Sequence, residues 1–388
     1  MENLNQPFNS LLPHAMVGEL LEKGEELSNN LLTSLENINQ KRDEYRQNLE
    51  SKGILLRDSD LPAVMPPTTC GVDGANIVER LLAVDIIACC AVAIEGLTPP
   101  SEKRYWEDVR HRTFIHNEIH NDSTSIVVSG IMWQLELDLA ANAPHDIVFV
   151  DGSLTNPIIK MNAAVNKAEQ NFMQDKLGKQ ISDNFQDFLK NYKTVVNSTR
   201  SDKFWIGMPK YTSKKEISEL MNWETNYDDR SLLTALLKSG EYTKPIPYKQ
   251  PKDEKGGQDW HLKFPSSSSN NSSCQQLWNE IKNGIHRLHV VYYKPHNYTP
   301  VLRIEVPSSV KDNKSQLRMI LDAIKYQCPT PSIIEPYPLY MADTIVKEVS
   351  KAVPALRQVA IRKMAKEYTG DLSEVFFSMH SYRTENTK

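Results

Sequence analysis

Two aspartates in this sequence each end a short apolar run and are each followed by glycine. Asp73 follows Cys70-Gly71-Val72, and Asp151 follows the run 147–150. A carboxylate buried alone at the end of a hydrophobic strand costs many kcal/mol, so it must be hydrated, paired or bound to a cation. The glycine lets the backbone turn away and leaves the acid at the edge of the strand. One Asp-Gly would indicate only a turn, whereas two after apolar runs favour a metal site, provided that they converge.

Such a site is suited to the hydrolysis of phosphodiesters. Two-metal hydrolysis needs several carboxylates that hold the ions about 3.5–4 Å apart. The ions prefer oxygen ligands, so Mg²⁺ or Mn²⁺ is expected. Glu136, on the helix predicted before the Asp151 strand, is the best third ligand, with Asp138 on a different face. Spacing alone leaves open that Glu136 is a charged residue on the solvent side of that helix.

The elements around these acids predict an α/β protein. Apolar residues at spacings of three, four and seven predict one long amphipathic helix, or a helical pair, over 16–49, whose apolar stripe packs on its own core, a second copy or a partner. After a proline-rich break the pattern changes to strands at 70–73 and across 78–97, then a helix over 125–141 and a strand over 147–150. Strands that precede a helix and a further strand predict a sheet with a covered face.

The second half of the chain continues this pattern. The predicted elements are a polar helical stretch over 157–192, a strand over 204–208, a capping box at 213–216 that opens a helix to 223, a hairpin of 288–293 with 301–306, a helix over 315–326 and a long basic helix over 340–368. Residues 244–273 are so polar that they predict a surface insertion. We therefore expect an N-terminal helical segment at 1–60 and one domain at 61–388.

Composition excludes some classes of protein. The chain has 388 residues, 40% hydrophobic and 24% charged, with a net charge of -4, which is ordinary for a folded domain. No apolar run approaches the roughly 20 residues that span a bilayer, so we expect a cytoplasmic protein with no membrane partner. Five cysteines without a CxxC pair predict reduced structural thiols. No phosphate-binding loop is present, so any ATP-driven motor must be a separate chain.

Four stretches, taken in their order along the chain, resemble the motifs of the NurA nuclease family. They are Gly71-Val72-Asp73-Gly74-Ala75, Phe149-Val150-Asp151-Gly152-Ser153-Leu154, Arg303-Ile304-Glu305-Val306-Pro307 and Pro336-Tyr337-Pro338-Leu339-Tyr340-Met341-Ala342-Asp343. Each is weak by itself, and their order is the specific part. The similarity extends over about 68–368.

The resemblance implies a ribonuclease H-like mixed sheet flanked by helices, with the long N-terminal helix and the helical insertions added to it. It implies a DNA nuclease that uses a divalent metal, preferentially manganese, forms a homodimer and works with a HerA-type hexameric ATPase. By position, Asp73 and Asp151 match the metal-binding aspartates of the family, and Glu136 matches its helix glutamate. Asp343 stands where many relatives carry histidine; it can complete a metal shell but cannot supply imidazole acid-base chemistry.

Three further residues are expected at the DNA. Lys210 follows a strand that resembles the lysine-bearing strand of the family and could contact the scissile phosphate or be a solvated strand end. Arg303 and Glu305 point to one face of a strand and are expected to form an ion pair, with a phosphate contact as the alternative for Arg303. The family tyrosine is either Tyr337, which would then contact DNA, or is replaced by Glu335.

The functional hypothesis is a metal-dependent DNA nuclease that acts with a HerA-like translocase in DNA end processing or anti-phage defence. Two other hypotheses stay open. The chain could be a catalytically weakened adaptor subunit of the translocase complex, or a metal hydrolase of small phosphoesters, since the same carboxylates would permit that reaction.

Overall fold

The computed structural model describes residues 12–82, 84–97, 104–198, 200–253 and 255–380. The outer ends of the two predicted domain ranges, 1–11 and 381–388, lie outside these residues. The strands are β1 (Leu55–Arg57), β2 (Thr69–Arg80), β3 (Asp85–Glu95), β4 (Arg110–Glu118), β5 (Ile147–Asp151), β6 (Phe204–Met208), β7 (Glu241–Thr243), β8 (Ile246–Pro247), β9 (His289–Tyr293) and β10 (Leu302–Val306). The helices are α1 (His14–Ser51), α2 (Thr124–Asn142), α3 (Asn156–Asn171), α4 (Lys176–Asp183), α5 (Phe185–Val196), α6 (Glu216–Met221), α7 (Asp229–Leu236), α8 (Ser272–His286), α9 (Lys314–Gln327), α10 (Tyr337–Lys347), α11 (Val349–Glu367) and α12 (Leu372–Ser378).

All ten strands belong to one mixed sheet with helices on its faces, as the sequence predicted. Its order is β1-β7-β9-β10-β6-β5-β2-β3-β4, and β8 pairs with β9. The central strands β2, β5 and β6 are parallel, β3 pairs antiparallel with β2, β4 pairs antiparallel with β3, and β10 pairs antiparallel with β6. None of the helices in the described ranges is long and apolar enough to cross a membrane.

The sequence around the adjacent residues Cys89 and Cys90 is apolar because strand β3 is covered on both faces. Cys89 belongs to the core cluster that contains residues of α2, while Cys90 belongs to the cluster that contains residues of α10. Alternate side chains of a strand point to opposite faces, so a strand covered on both faces must be apolar throughout. All five cysteines are free and buried, which confirms the structural thiols.

The N-terminal segment is one helix rather than a pair. Towards its C-terminus, Tyr45 stacks on Trp223 at 4.2 Å between ring centroids, and Arg46 donates to Glu241 at 2.7 Å. Its N-terminal part has exposed leucines at positions 20, 21, 27, 31, 32 and 35. Only the last part of the apolar stripe is therefore covered by the core of this chain.

Three details differ from the sequence prediction. The long basic helix is two helices, α10 and α11, separated at Glu348. The capping box does not form, because α6 begins after Lys215 with no side-chain cap and Glu216 pairs elsewhere. The segment 244–273 is not only a surface insertion: it adds β8 to the sheet, and Tyr248 and Leu262 are buried.

Candidate metal centre

The register of the parallel strands brings Asp73 and Asp151 together. Val72 on β2 lies opposite Val150 on β5, so the two aspartates that follow are neighbours at the same edge of the sheet. Their strand positions alternate with Val72 and Val150, whose side chains belong to the core cluster on the α2 side. Both carboxylates therefore point to the opposite face, which α9 and α10 cover.

Helix α10 brings the third carboxylate. Pro336 is its N-cap residue and a second proline lies in its first turn, a position that proline favours because no N–H is needed there. The helix crosses β2 at Gly71, where a Cβ atom would lie 2.5 Å from the Leu339 backbone nitrogen. One turn further on is Asp343, and one carboxylate oxygen each of Asp73, Asp151 and Asp343 lie within 4.8 Å of one another.

Lys210 lies among these acids. Its Nζ atom is 3.3 Å from Asp151, 3.3 Å from Glu335 and 3.5 Å from Asp343. Burial alone would lower the pKa of Lys210, but the neighbouring carboxylates raise it above its usual value. The lysine is therefore charged, and it is the central cation of the group.

One ammonium does not balance so many acids. Burial, together with the charge of Asp151, raises the pKa of Asp73 to about 7. Burial also raises the pKa values of Asp151 and Glu335, against the opposing effect of Lys210. The carboxylates are crowded in a poorly hydrated place, where a bound cation would stabilise their negative charges.

Glu136 is close to this group but not part of the cluster. A Cβ atom at Gly74 would lie 3.0 Å from its Oε2, so Glu136 lies on the α2 side of strand β2. The side chain is 1% exposed, and its Oε1 accepts no hydrogen bond from the described residues. Burial raises its pKa well above the usual value, and the charges of Asp73 and Asp151 add to this. The third clustered carboxylate is thus Asp343, and Glu136 is an adjacent orphaned acid.

A buried ion-pair network holds the turn after Asp151. Gly152 has φ +83°, which favours glycine. Next to it, the Leu154 N–H donates to Glu305 at 2.8 Å, and the Ser153 hydroxyl donates to the same carboxylate at 2.9 Å. Arg303 donates to Glu305 at 2.6 Å, which confirms the predicted pair.

Arg303 has a second acid partner. It donates to Glu216 at 2.6 Å, and its side chain is only 2% exposed. The guanidinium thus bridges two buried carboxylates rather than facing open solvent. Arg303 is nevertheless among the residues that line the neighbouring cleft, so its phosphate contact stays a prediction.

A cleft of about 1060 Å³ opens beside the carboxylates. Asp151, Lys210, Asp343 and Glu335 line it. Cationic and aromatic side chains continue along its walls, namely Lys214, Arg230, Lys249, Lys347, Tyr211, Tyr248 and Trp260. This is a local basic path in a chain of negative net charge.

Three predicted site residues, Asp73, Glu136 and Tyr337, are not among the residues that line this cleft. Asp73 is 6% exposed and lies at the buried end of the carboxylate group, outside the residues that line the cleft. Tyr337 is half-buried at the start of α10 and is also absent from the lining, and a DNA contact by Tyr337 stays a prediction.

The sequence analysis missed the ion pairs of two residues that the structure places at or beneath the site. Glu335 was considered only as a replacement for the family tyrosine, although it binds Lys210. Glu216 was interpreted as part of a capping box. A signal existed for Glu335, which lies in the proline-rich motif; none existed for Glu216, whose partner Arg303 is distant in sequence.

A comparison with known protein families identifies the family of this chain. The NurA domain family matches residues 67–348, which is most of the chain. The chain belongs to the NurA family. No curated protein sequence matches it.

Three solved NurA structures are similar to this NurA family protein, each with 14% identity. The NurA nuclease from Sulfolobus solfataricus has a TM-score of 0.58, with 92% of this chain and 99% of that chain covered. A second NurA structure has a TM-score of 0.55 with the same coverage. A structure of NurA with manganese has a TM-score of 0.50, with 87% and 98% covered. At this identity the similarity shows the fold.

Proposed function

We propose that this NurA family protein is a divalent-metal-dependent DNA nuclease. The observation that carries the proposal is the convergence of Asp73, Asp151 and Asp343 within 4.8 Å at the end of an open cleft with cationic walls. The family membership and the solved NurA nuclease support the same class of activity.

The donor set fits a hard cation. All the candidate ligands are carboxylates, from Asp73, Asp151 and Asp343, and Glu136 adds a buried oxygen without a hydrogen-bond partner. Such oxygens suit Mn²⁺ or Mg²⁺, and manganese is present in one solved NurA relative. When bound, such an ion would lower the pKa of a water molecule and stabilise charge on the leaving oxygen.

The residues of the chain have separate tasks in this proposal. Lys210 is placed to neutralise one non-bridging oxygen of a phosphate that enters beside Asp151. Glu305 and Arg303 hold the turn after Asp151 and so fix the direction of its carboxylate. Lys347 pairs with Asp343 at 2.5 Å and limits the motion of that side chain.

The test is cleavage of an end-labelled DNA oligonucleotide with added Mn²⁺. Asp151→Asn keeps the size of the side chain but removes its charge, and we expect cleavage to fall by at least about 10²-fold. Asp138→Asn is the matched control, because Asp138 lies outside the cluster, where its carboxylate pairs with Arg112 at a distance of 2.7 Å. Cleavage at the wild-type rate by folded Asp151→Asn would refute the assignment.

The weakened-adaptor hypothesis gives a different result. An adaptor need not bind manganese at a defined stoichiometry, so calorimetric titration of the full chain distinguishes it from the nuclease. The retained carboxylate cluster favours the nuclease. Hydrolysis of an aryl phosphate without cleavage of DNA would instead favour the small-phosphoester hydrolase.

The proposal extends to partners and setting. We infer a cytoplasmic homodimer that works with a HerA-like hexameric ATPase in DNA end processing or anti-phage defence. The inference rests on the family and on the exposed leucines of α1, which could be covered by another chain. Sedimentation of the full chain, alone and mixed with such an ATPase, tests both contacts.

A further inference from the structure

One aromatic side chain in the cleft is exposed in a way that the carboxylate chemistry does not explain. Tyr211 directly follows Lys210 in the chain and is 95% exposed. Its hydroxyl makes no hydrogen bond within the described part of the chain. A single exposed tyrosine is usually an ordinary surface residue, so its surroundings decide whether it has a role.

The other aromatic side chains of the cleft are fixed in the wall. Tyr248 is 8% exposed, and its hydroxyl is 3.1 Å from that of Thr155. Trp260 is half-buried, and its Nε1–H donates to Gln250 at 2.7 Å. Among the described residues that line the cleft, only Tyr211 therefore offers a whole aromatic ring to a ligand.

Tyr211 lines the same cleft as the carboxylates and lies near positive charge. It is the next residue after Lys210, so the two Cα atoms are about 3.8 Å apart, and both side chains belong to the lining of the cleft. Burial lowers the pKa of Arg230, and Tyr211 is near enough to affect that pKa. Lys214 lines the same cleft and makes no ion pair with another described residue. Cations beside an exposed ring are the arrangement that binds the phosphates and a base of a single strand.

We propose that Tyr211 stacks on an unpaired base of the substrate strand next to the scissile phosphate, and so gives this protein a preference for single-stranded or frayed DNA ends. The inference rests on the proposed nuclease function. Bases inside a duplex already stack on each other and cannot present a face to a side chain. Stacking on Tyr211 therefore requires a base that has left the helix.

The size of the cleft agrees with this assignment. Its volume of about 1060 Å³ slightly exceeds the range for small-molecule sites, roughly 300–1000 Å³. It has room for more than one nucleotide. The expected effect of removing the ring is a loss of about 5- to 150-fold in affinity for a single strand.

The experiment measures binding without cleavage. A single-stranded oligonucleotide and a blunt duplex of the same sequence are titrated with the full chain in EDTA. The variants are Tyr211→Ala and Tyr211→Phe, with Tyr326→Ala on α9 as the control for the loss of a tyrosine outside the cleft. We expect Tyr211→Ala to weaken binding of the single strand by at least fivefold, with duplex binding little changed. Tyr211→Phe should bind like the wild type, because stacking does not need the hydroxyl.

A second measurement reports the stacking itself. An oligonucleotide with 2-aminopurine near its end should lose fluorescence on binding to the wild type and to Tyr211→Phe, but not to Tyr211→Ala. Equal binding of the single strand by Tyr211→Ala and wild type, or a wild-type preference for the blunt duplex, would overturn the proposal. Because binding is measured in EDTA, these results are independent of whether the protein cleaves DNA. A wild type that binds as expected but never cleaves with Mn²⁺ would refute only the nuclease function.

Discussion

Replacing Arg303 with methionine should destabilise the fold strongly, because Arg303 lies between two buried acids and pairs with both. Arg303 is 2.6 Å from Glu216 and 2.6 Å from Glu305, and each of the three side chains is at most 5% exposed. Removing one partner of a buried ion pair costs about 3–5 kcal/mol, since a buried charge is left uncompensated.

The neighbours of the two acids refine this estimate. Glu305 keeps two donors, the Ser153 hydroxyl and the Leu154 N–H. Glu216 keeps one, the Tyr292 hydroxyl at 2.5 Å. These hydrogen bonds stabilise the carboxylates without neutralising them, so we expect a loss near the lower end, about 3 kcal/mol.

Urea unfolding followed by tryptophan fluorescence measures the loss. With a slope of roughly 3 kcal/mol per molar urea, the midpoint should fall by about 1 M. Arg112→Met is the control, because the Arg112–Asp138 pair is exposed and should contribute less than about 1 kcal/mol. Adding Glu216→Gln and Glu305→Gln to Arg303→Met should recover part of the stability, since both orphaned charges are then gone.

The same variant decides whether Arg303 contacts DNA. Below its unfolding midpoint, Arg303→Met should bind single-stranded DNA in EDTA as the wild type does, because the guanidinium is buried. The reasoning would be refuted by an unchanged urea midpoint together with weakened DNA binding. That result would mean that Arg303 faces the substrate rather than Glu216 and Glu305.

Lys210→Met should lower the cleavage rate by about 10²-fold, as expected for loss of a charge that stabilises the transition state. The same variant should bind Mn²⁺ more tightly, because no ammonium competes for the carboxylates. A cleavage assay and calorimetry measure the two effects, and unchanged cleavage would contradict the proposed role of Lys210. Gly71→Ala should cost about 1–3 kcal/mol in urea unfolding and also reduce cleavage, because the added Cβ atom would press on the start of helix α10. Gly18→Ala is the control: its added Cβ atom would meet no neighbouring group within 4 Å, so the variant should be neutral or stabilising. Burial alone would raise the pKa of Glu241, but hydrogen bonds from Arg46 hold that pKa below its usual value. The ionised Glu241 therefore stabilises the fold above the unfolded pKa of about 4.3, and this stabilisation is lost as pH falls through the lower folded pKa. Unfolding of Glu241→Gln and wild type between pH 7 and 3 should therefore differ most near neutrality, and a difference that grows on acidification would reverse the sign.

The sequence predicted the central sheet well because the local pattern was strong there. Strand β6 has the predicted bounds, and β5 differs by one residue at its end. Both are strands of only five residues whose apolar run is bounded by polar residues or proline, a length typical of a buried strand and too short for most helices. The long basic helix was less well predicted, since a helical pattern does not reveal where one helix stops and another begins.

Some residues around the site could likewise be identified from the sequence, whereas the position of others could not. Asp73 and Asp151 could be identified because each acid ends a strand, and parallel neighbours present such ends at one edge. Glu136 was correctly expected on the helix before β5, but its distance from the cluster depends on how α2 packs against β2. Sequence spacing carries no information on that packing.

The sequence by itself determined the kind of chemistry: acids at strand ends, followed by glycine, in an ordered set of motifs. The tertiary structure alone decided which groups meet. It placed Asp343, Glu335 and Lys210 around Asp151, and it turned Glu216 from a supposed helix cap into a partner of Arg303. The reason is physical: local propensity acts within one element, whereas the pairing of buried charges depends on elements that are distant in sequence and become neighbours only when the sheet and its helices pack.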